Sequence, residues 1–136
     1  MKIRVISFVF LMTILAGCFG PKEGDVPYSV QKKDPESLLN FYRKIIHFRN
    51  ESPALTYGDI DHSGMHIEEV VSFIRNFQNE ELLVLHNVSD VEVTVELKDH
   101  NARFRGIAFD TAGGKVAVQQ GSLRLPAFTT VILEQN

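Results

Sequence analysis

The spacing of apolar residues changes near Gly58, and this change constrains the fold more than any other feature of the sequence. Between residues 38 and 48, apolar side chains recur with a period of about 3.6 residues, which is typical of one helix face. From Gly58 to the C-terminus the period is about 2, which is typical of strands with one buried face. We therefore predict one amphipathic helix followed by a β domain.

The predicted helix occupies residues 34–53. Asp34, Pro35 and Glu36 favour a helix start, because Asp caps free amide groups, Pro is tolerated in the first turn and Glu suits the positive end of the helix dipole. Pro53 marks the end, since the residue before a proline avoids helical geometry. The apolar face of this helix is wide.

The predicted β domain occupies residues 54–136. Residues 91–98 alternate between apolar and polar, and Leu82 to Leu85 form a continuous apolar run typical of a central strand buried on both faces. Polar stretches at 78–81, 89–90 and 113–114 suit tight hairpin connections. Further strands are expected near residues 69–77, 106–110, 115–119, 122–126 and 128–134. The predicted fold class is all-β, an antiparallel Greek-key-like β-sandwich with one N-terminal amphipathic helix.

The N-terminal residues have the layout of a secretory signal. Lys2 and Arg4 provide a basic start, and residues 5–15 form an apolar run that is short for a membrane span. The run ends in Leu-Ala-Gly-Cys at residues 15–18, which resembles the lipobox of bacterial lipoproteins. That resemblance implies cleavage between Gly17 and Cys18 and lipidation of the Cys18 thiol. The alternatives are a plain secretory signal with a chance cysteine and an uncleaved apolar anchor.

A lipidated Cys18 predicts a location in the bacterial cell envelope, on the exported side of a membrane, with the lipid bilayer as partner. Phe19, in place of the aspartate associated with inner-membrane retention, favours the outer membrane or the cell surface. We interpret residues 1–17 as the signal peptide. Residues 18–33 carry glycines, prolines and charges without an apolar period, and we interpret them as a tether.

The charge balance excludes one class of partner. The chain has 14 Lys and Arg against 17 Asp and Glu, for a formal net charge of −3. No cluster of basic residues provides the electrostatic footprint that nucleic-acid binding requires. We therefore predict no nucleic-acid partner.

Three segments of the sequence together indicate a family. Residues 34–44, Ser52-Pro53-Ala54-Leu55 and Tyr57-Gly58 resemble the last barrel helix, and its exit, of glycoside hydrolase family 13, the α-amylases and α-glucosidases. The segments 73–75, 80–90 and 93–97 are similar to the strands that open the C-terminal β domain, and 125–134 to its closing strand. The resemblance covers about residues 30–136.

The same resemblance implies that this sequence carries no catalytic residue. Family 13 enzymes place their catalytic carboxylates on loops at the C-terminal ends of barrel strands. None of those strands or motifs is found in the sequence, and the segment between Cys18 and Asp34 is far shorter than a barrel of roughly 250 residues. We predict a non-catalytic chain with no cofactor and no metal.

Two kinds of polar cluster are further candidates for a functional site. Glu68-Glu69 and Glu80-Glu81 are adjacent pairs, but neighbours on a strand point to opposite faces, so we interpret them as solvated charges. The other cluster contains carboxylates and two histidines with the spacing of a helical metal site, which Ser63-Gly64 disfavours. An acidic surface loop is the preferred interpretation of this cluster, whose members are Asp59, Asp61, His62, His66, Glu68 and Glu69. The remaining histidines, His47, His86 and His100, are expected to be packing or surface residues.

Aromatic residues bear on sugar binding, since sugars stack on exposed rings. The chain has no Trp. We expect Tyr28 and Tyr57 to be exposed, and we expect core packing for six phenylalanines, namely Phe41, Phe48, Phe73, Phe77, Phe109 and Phe128. The helix face has two alternatives, folding back onto the sandwich or remaining partly exposed, and we favour folding back with partial exposure and self-association through the helix.

Three functions are consistent with the sequence. The first is a membrane-tethered, non-catalytic domain derived from an α-amylase-like enzyme, with an accessory or remnant role in α-glucan metabolism. The second is a lipoprotein that binds maltodextrins. The third is the C-terminal part of a split enzyme whose barrel is a separately encoded chain.

Overall fold

The computed structural model describes residues 24–135. The chain divides into two compact units, Met1–Lys44 and Ile45–Asn136. Within the described residues there are three helices, which we name α1 (Tyr28–Lys33), α2 (Leu38–Glu51) and α3 (Pro53–Tyr57). The strands are β1 (Asp59–His62), β2 (Val70–Phe77), β3 (Glu80–Asn87), β4 (Val93–Glu96), β5 (Phe104–Asp110), β6 (Val118–Gln119), β7 (Ser122–Leu125) and β8 (Thr130–Gln135), with a 3-10 helix at Asp99–Arg103.

Helix α2 begins at Leu38, so the predicted start at Asp34 is wrong. The Asp34 carboxylate accepts the N–H of Glu36 (3.0 Å) in a local turn, and Asp34 lies at the C-terminal cap of α1. Ser37 supplies the cap of α2, because its Oγ accepts the N–H of Asn40 (3.3 Å). The sequence interpretation also missed α1, which lies within the segment interpreted as a tether.

The β domain contains two antiparallel sheets, and the predicted all-β sandwich is confirmed. The larger sheet has the strand order β1-β2-β3-β8-β5 and the smaller sheet the order β4-β7-β6. Strand β8 lies between β3 and β5, and β7 lies between β4 and β6. The chain therefore crosses between the sheets, as in Greek-key sandwiches, and does not form a simple meander.

The sandwich core lies between the two sheets. Leu83 and Leu85 on β3 are fully buried there, packed with residues of the smaller sheet such as Val95 and Leu123. Leu82 and Val84 point to the opposite face of the larger sheet, which we name the outer face, and join a second apolar cluster. The prediction that Leu82 to Leu85 form a strand buried on both faces is confirmed.

The outer face is covered in part by helical residues of the second unit. Ala54 on α3 is fully buried and belongs to the same cluster as Leu82 and Ile132. Phe48, near the end of α2, stacks on Phe109 of β5 with ring centroids 5.0 Å apart. Phe48 is one of the apolar residues that recur with helical spacing in the sequence.

Strand β1 was not predicted. It pairs only with β2, and all four of its residues are exposed, so it is an edge strand. Its composition has no apolar alternation, and charged residues of this kind protect sheet edges from pairing with other chains. Residues 59–62, expected to lie in a surface loop, therefore extend the larger sheet.

None of the helices within residues 24–135 combines the length and apolar character needed to cross a membrane.

Candidate functional site

The predicted lipidation and cleavage residues, Cys18 and Gly17, lie outside the described residues. Lipidation at Cys18 therefore stays a prediction. The structure bears on the other candidate residues.

The histidine and carboxylate cluster is spread over an edge strand and the loop after it. His62 ends β1 and His66 lies in the following loop, with ring centroids 5.9 Å apart. The Nδ1 atom of His62 accepts the N–H of Gly64 (3.0 Å), so one ring nitrogen is already used within the loop. Asp61 accepts from the amide of Asn76 (3.2 Å). Among residues 24–135, no three His, Cys, Asp or Glu side chains have an arrangement that could hold a metal ion.

Glu80 is not a solvated charge, and that prediction is wrong. Its carboxylate accepts the hydroxyl of Ser52 (2.7 Å) and the backbone N–H of Ala54 (2.8 Å). Both partners are buried at the start of α3, where free helical N–H groups favour a negative charge. Glu80 therefore anchors α3 to the first residue of β3.

A second side chain secures the same helix. Arg75 on β2 donates from Nε to the carbonyl of Ala54 (3.0 Å) and from its guanidinium to the carbonyl of Leu55 (3.3 Å). Together with Glu80, it provides charged contacts from neighbouring strands to α3. We name Glu80 and Arg75 the α3 clamp. The sequence signal that could have indicated it is the Ser-Pro helix start at residues 52–53, which exposes N–H groups that need an acceptor.

Glu81 has a different environment from Glu80. It forms an ion pair with Arg103 (2.7 Å) and accepts from the side-chain amide of Gln135. The prediction that Glu80 and Glu81 point to opposite faces of the strand is correct, because Glu80 contacts α3 on the outer face and Glu81 contacts other residues. Retaining glycoside hydrolysis instead requires two carboxyl groups about 5 Å apart in one cleft.

The remaining histidines do not form a catalytic group with one another. His47 lies 3.2 Å from Glu51 one turn further along α2, and both side chains are exposed. His86 is half-buried, and its Nδ1 lies 2.6 Å from the hydroxyl of Thr130. His100 lies in the 3-10 helix beside Gly64. These positions agree with packing and surface roles.

The prediction of core packing is confirmed in part, because Phe48, Phe73, Phe77 and Phe109 are partly buried against the cluster on the outer face, a set that does not include Phe41. Tyr57 and Tyr28 are exposed as expected, and the Tyr57 ring lies 5.9 Å from the ring of Phe77. Phe128 is 66% exposed, so its predicted core position is wrong. The fully buried ring of the sandwich is Phe104, which the sequence interpretation did not single out.

The apolar face of α2 is partly exposed. None of its residues is buried, and more than half the surface of Leu38, Tyr42 and Ile46 is exposed. These residues are spaced by four and form one stripe along the helix. Self-association through this stripe stays a prediction.

One exposed ion pair shifts the pKa values of its members. A hydrogen bond and the charge of Lys98 lower the pKa of Glu96, and the same contacts raise the pKa of Lys98. This pair lies at the end of β4 on the smaller sheet.

The described β domain is an antiparallel sandwich to which Glu80 and Arg75 hold the short helix α3. Its sequence and fold are similar to those of known proteins. Residues 70–132 match the family described as the alpha-amylase SusG C-terminal domain. This match confirms the resemblance to an α-amylase C-terminal domain over the β domain, whereas the lipoprotein signal stays a prediction.

The relatives found by sequence are carbohydrate-active enzymes. A probable alpha-glucosidase of Rhizobium meliloti (strain 1021) is 38% identical over 69 residues, which are 51% of this chain and 12% of the relative. Alpha-amylase 2 of Dictyoglomus thermophilum is 34% identical over 82 residues, which are 60% of this chain and 13% of the relative. The matched segments thus span about an eighth of these relatives' length.

Solved structures with the same fold include an isomaltulose synthase and a trehalulose synthase. Isomaltulose synthase (PALI) from Klebsiella sp. LX3 superposes with a TM-score of 0.70 at 24% identity, covering 82% of this chain and 20% of that chain. Trehalulose synthase MutB from Pseudomonas mesoacidophila MX-45 superposes with a TM-score of 0.68 at 23% identity and the same coverage. These similarities establish the fold of the matched part.

Proposed function

We propose that this chain is a membrane-tethered, non-catalytic domain of α-amylase C-terminal type, with an accessory role in α-glucan metabolism. The observation that carries the proposal is the match of residues 70–132 to the C-terminal domain of an α-amylase. It is supported by the sequence of residues 15–18, which resembles a lipobox. The lipid would hold the β domain on the exported side of the bacterial envelope. The chemistry assigned to this chain is anchoring.

The contacts of Glu80 and Glu81 support a non-catalytic role. Retaining glycoside hydrolysis needs two carboxyl groups about 5 Å apart in a cleft. Glu80 is engaged by the start of α3, and Glu81 by Arg103 and Gln135. Both groups therefore already serve structural contacts.

An activity assay tests the non-catalytic role. The purified full chain is incubated with a chromogenic maltoside, and an α-amylase in the same assay serves as the positive control. We expect no release of chromophore above the blank. Turnover that copurifies with the chain through two different chromatographic steps would overturn the proposal.

Metabolic labelling tests the anchor. Cells expressing the wild type, Cys18→Ala and the control Phe19→Ala are labelled with palmitate, and the protein is isolated from the membrane fraction. We expect label in the wild type and the control and none in Cys18→Ala. A label that persists in Cys18→Ala would contradict lipidation at this residue.

A second candidate function is the binding of maltodextrins, and one observation favours it. Tyr57 is 73% exposed, so its ring is accessible to a sugar that stacks on aromatic faces. Affinity electrophoresis in amylose gels tests this function. Retardation that is lost in Tyr57→Ala and kept in Tyr28→Ala would support it, and migration identical to a non-binding protein would exclude it.

A further inference from the structure

The smaller sheet carries a groove on the surface that faces away from the sandwich core. Its volume is about 710 Å³, which is within the range of small-ligand sites. We name it the small-sheet groove. Its polar lining is provided by Thr94, Lys115, Gln119, Gln120, Ser122 and Arg124.

Strand alternation explains why these side chains face outward. On β4 and β7, Val95, Leu123 and Leu125 are buried in the core, whereas Thr94 and Arg124 are exposed on the other face. The two strands pair with Thr94 opposite Arg124. The outer surface of the smaller sheet is therefore polar at its centre.

A tight turn brings a second depression next to the groove. Gln120 and Gly121 both have positive φ values, 51° and 77°, as the two-residue hairpin between β6 and β7 requires. Gln120 lines the groove and also a neighbouring depression of about 530 Å³, to which Arg105 contributes. The two cavities therefore adjoin at Gln120.

Cationic side chains line both cavities, and the nearby carboxylates Glu96 and Glu92 lie beside Lys98 and Arg124. The chain carries more acidic than basic residues, yet the linings of the two cavities contain Lys115, Arg124 and Arg105 and no carboxylate. Glu92 lies 4.0 Å from Arg124, but both side chains are largely exposed, so this pair is weak. The cations are thus available to an anionic ligand.

The side chains also indicate what kind of anion fits. No aromatic ring lines either cavity, so a neutral sugar has no surface on which to stack. The amides of Gln119 and Gln120 are suited to sugar hydroxyls, because each amide both donates and accepts hydrogen bonds. Lysine and arginine are suited to carboxylates. A ligand with hydroxyls and repeated carboxylates matches all of these groups.

We propose that the small-sheet groove binds an acidic oligosaccharide composed of uronic-acid sugars. This site is separate from the α3 clamp and from Tyr57, and it goes beyond the proposed function. It does not depend on lipidation or on α-glucan binding, so the two proposals can fail independently.

Calorimetric titration of the full chain in a neutral detergent tests the proposal. The probes are trigalacturonate, maltotriose, which has the same number of rings without carboxylates, and acetate, which has the carboxylate without the sugar. The variant is Lys115→Gln with Arg124→Gln. The matched control is Lys32→Gln with Lys33→Gln, which removes the same charge from exposed residues of α1.

We expect trigalacturonate to bind the wild type and the control equally, and the groove variant about tenfold or more weakly, a change that corresponds to at least 1.4 kcal/mol. We also expect maltotriose and acetate to bind at least tenfold more weakly than trigalacturonate. Equal binding of maltotriose would overturn the assignment to an acidic sugar, and so would acetate binding of the same strength. Absence of trigalacturonate binding, or equal loss in the control variant, would overturn the site itself.

Discussion

The α3 clamp predicts a large difference between two neighbouring carboxylates. In Glu80→Ala, the Ser52 hydroxyl loses its acceptor at 2.7 Å and the Ala54 N–H its acceptor at 2.8 Å. Hydrogen bonds to a charged group contribute about 1.5–3 kcal/mol each. Because Glu80 is only half-buried, we take the lower end of this range and expect a loss of about 3 kcal/mol in the free energy of unfolding.

Glu81→Ala is the matched control, since it removes the same side chain one residue away. Its ion pair with Arg103 is partly exposed, and such pairs contribute about 1 kcal/mol or less. The assay is urea unfolding of the full chain in neutral detergent, followed by circular dichroism. At a typical slope of about 1–2 kcal/mol per molar urea, Glu80→Ala should lower the midpoint by roughly 1.5–3 M.

The unfolding midpoints of Glu80→Ala and Glu81→Ala test whether Glu80 secures α3. If Glu80→Ala and Glu81→Ala lower the midpoint equally, the carboxylate of Glu80 does not secure α3. Glu80→Gln provides a further check, because it keeps one side-chain oxygen acceptor and loses the charge. We expect its midpoint to lie between those of the wild type and Glu80→Ala.

Three further outcomes follow from the structure. Gly58→Ala should lower the free energy of unfolding in urea by about 1–3 kcal/mol, because a Cβ there would lie 2.4 Å from the Ala54 carbonyl oxygen. A Gly58→Ala variant as stable as the wild type would contradict this close approach. Asn87→Ala should lower the free energy of unfolding by about 3 kcal/mol or more in the same measurement, because the fully buried amide of Asn87 donates to three carbonyl oxygens. A decrease of less than about 1 kcal/mol would contradict that role. Lys98→Met should return the lowered pKa of Glu96 towards its ordinary value in an NMR titration. A lowered carboxyl pKa contributes stability at pH values above the ordinary pKa, and this stability is lost as the pH falls. Because this pair is exposed, we expect the unfolding midpoint near neutral pH to be unchanged in Lys98→Met. An unaltered Glu96 pKa in Lys98→Met would contradict the assigned cause.

The strands of the sandwich could be predicted where one face is buried. The alternation around residues 91–98 predicted β4, and the apolar run from Leu82 to Leu85 predicted the central strand β3. Burial of one face leaves an alternating pattern in the sequence, and burial of both faces leaves a continuous apolar run. Strand β1 leaves no such pattern, because all four of its residues are exposed and its pairing with β2 depends on backbone hydrogen bonds.

The helix start and the clamp depend on choices that composition cannot resolve. Asp34 and Ser37 are both good capping residues, and local contacts decide that Ser37 caps α2. The role of Glu80 depends on the position of α3, which lies more than twenty residues earlier in the chain. Long-range contacts of this kind have no sequence pattern of their own.

The phenylalanines illustrate a similar limit. Phe104 is the first residue of β5 and is fully buried, whereas Phe128 precedes β8 and is exposed. The backbone of Phe128 has a φ of 52°, in a region that bulky residues seldom adopt, and this conformation belongs to the loop before β8. Strand periodicity does not extend into such a loop, so it could not indicate where the ring points.

The central claim is that an α-amylase-type β domain is held on a membrane by a lipid at Cys18. The most direct test is intact-mass spectrometry of the protein from the membrane fraction, with Cys18→Ala as the control. The account predicts a wild-type mass equal to residues 18–136 plus a diacylglyceryl group, and no lipid mass in Cys18→Ala. A wild-type protein that keeps residues 1–17, or one that is cleaved elsewhere and carries no lipid, would contradict it.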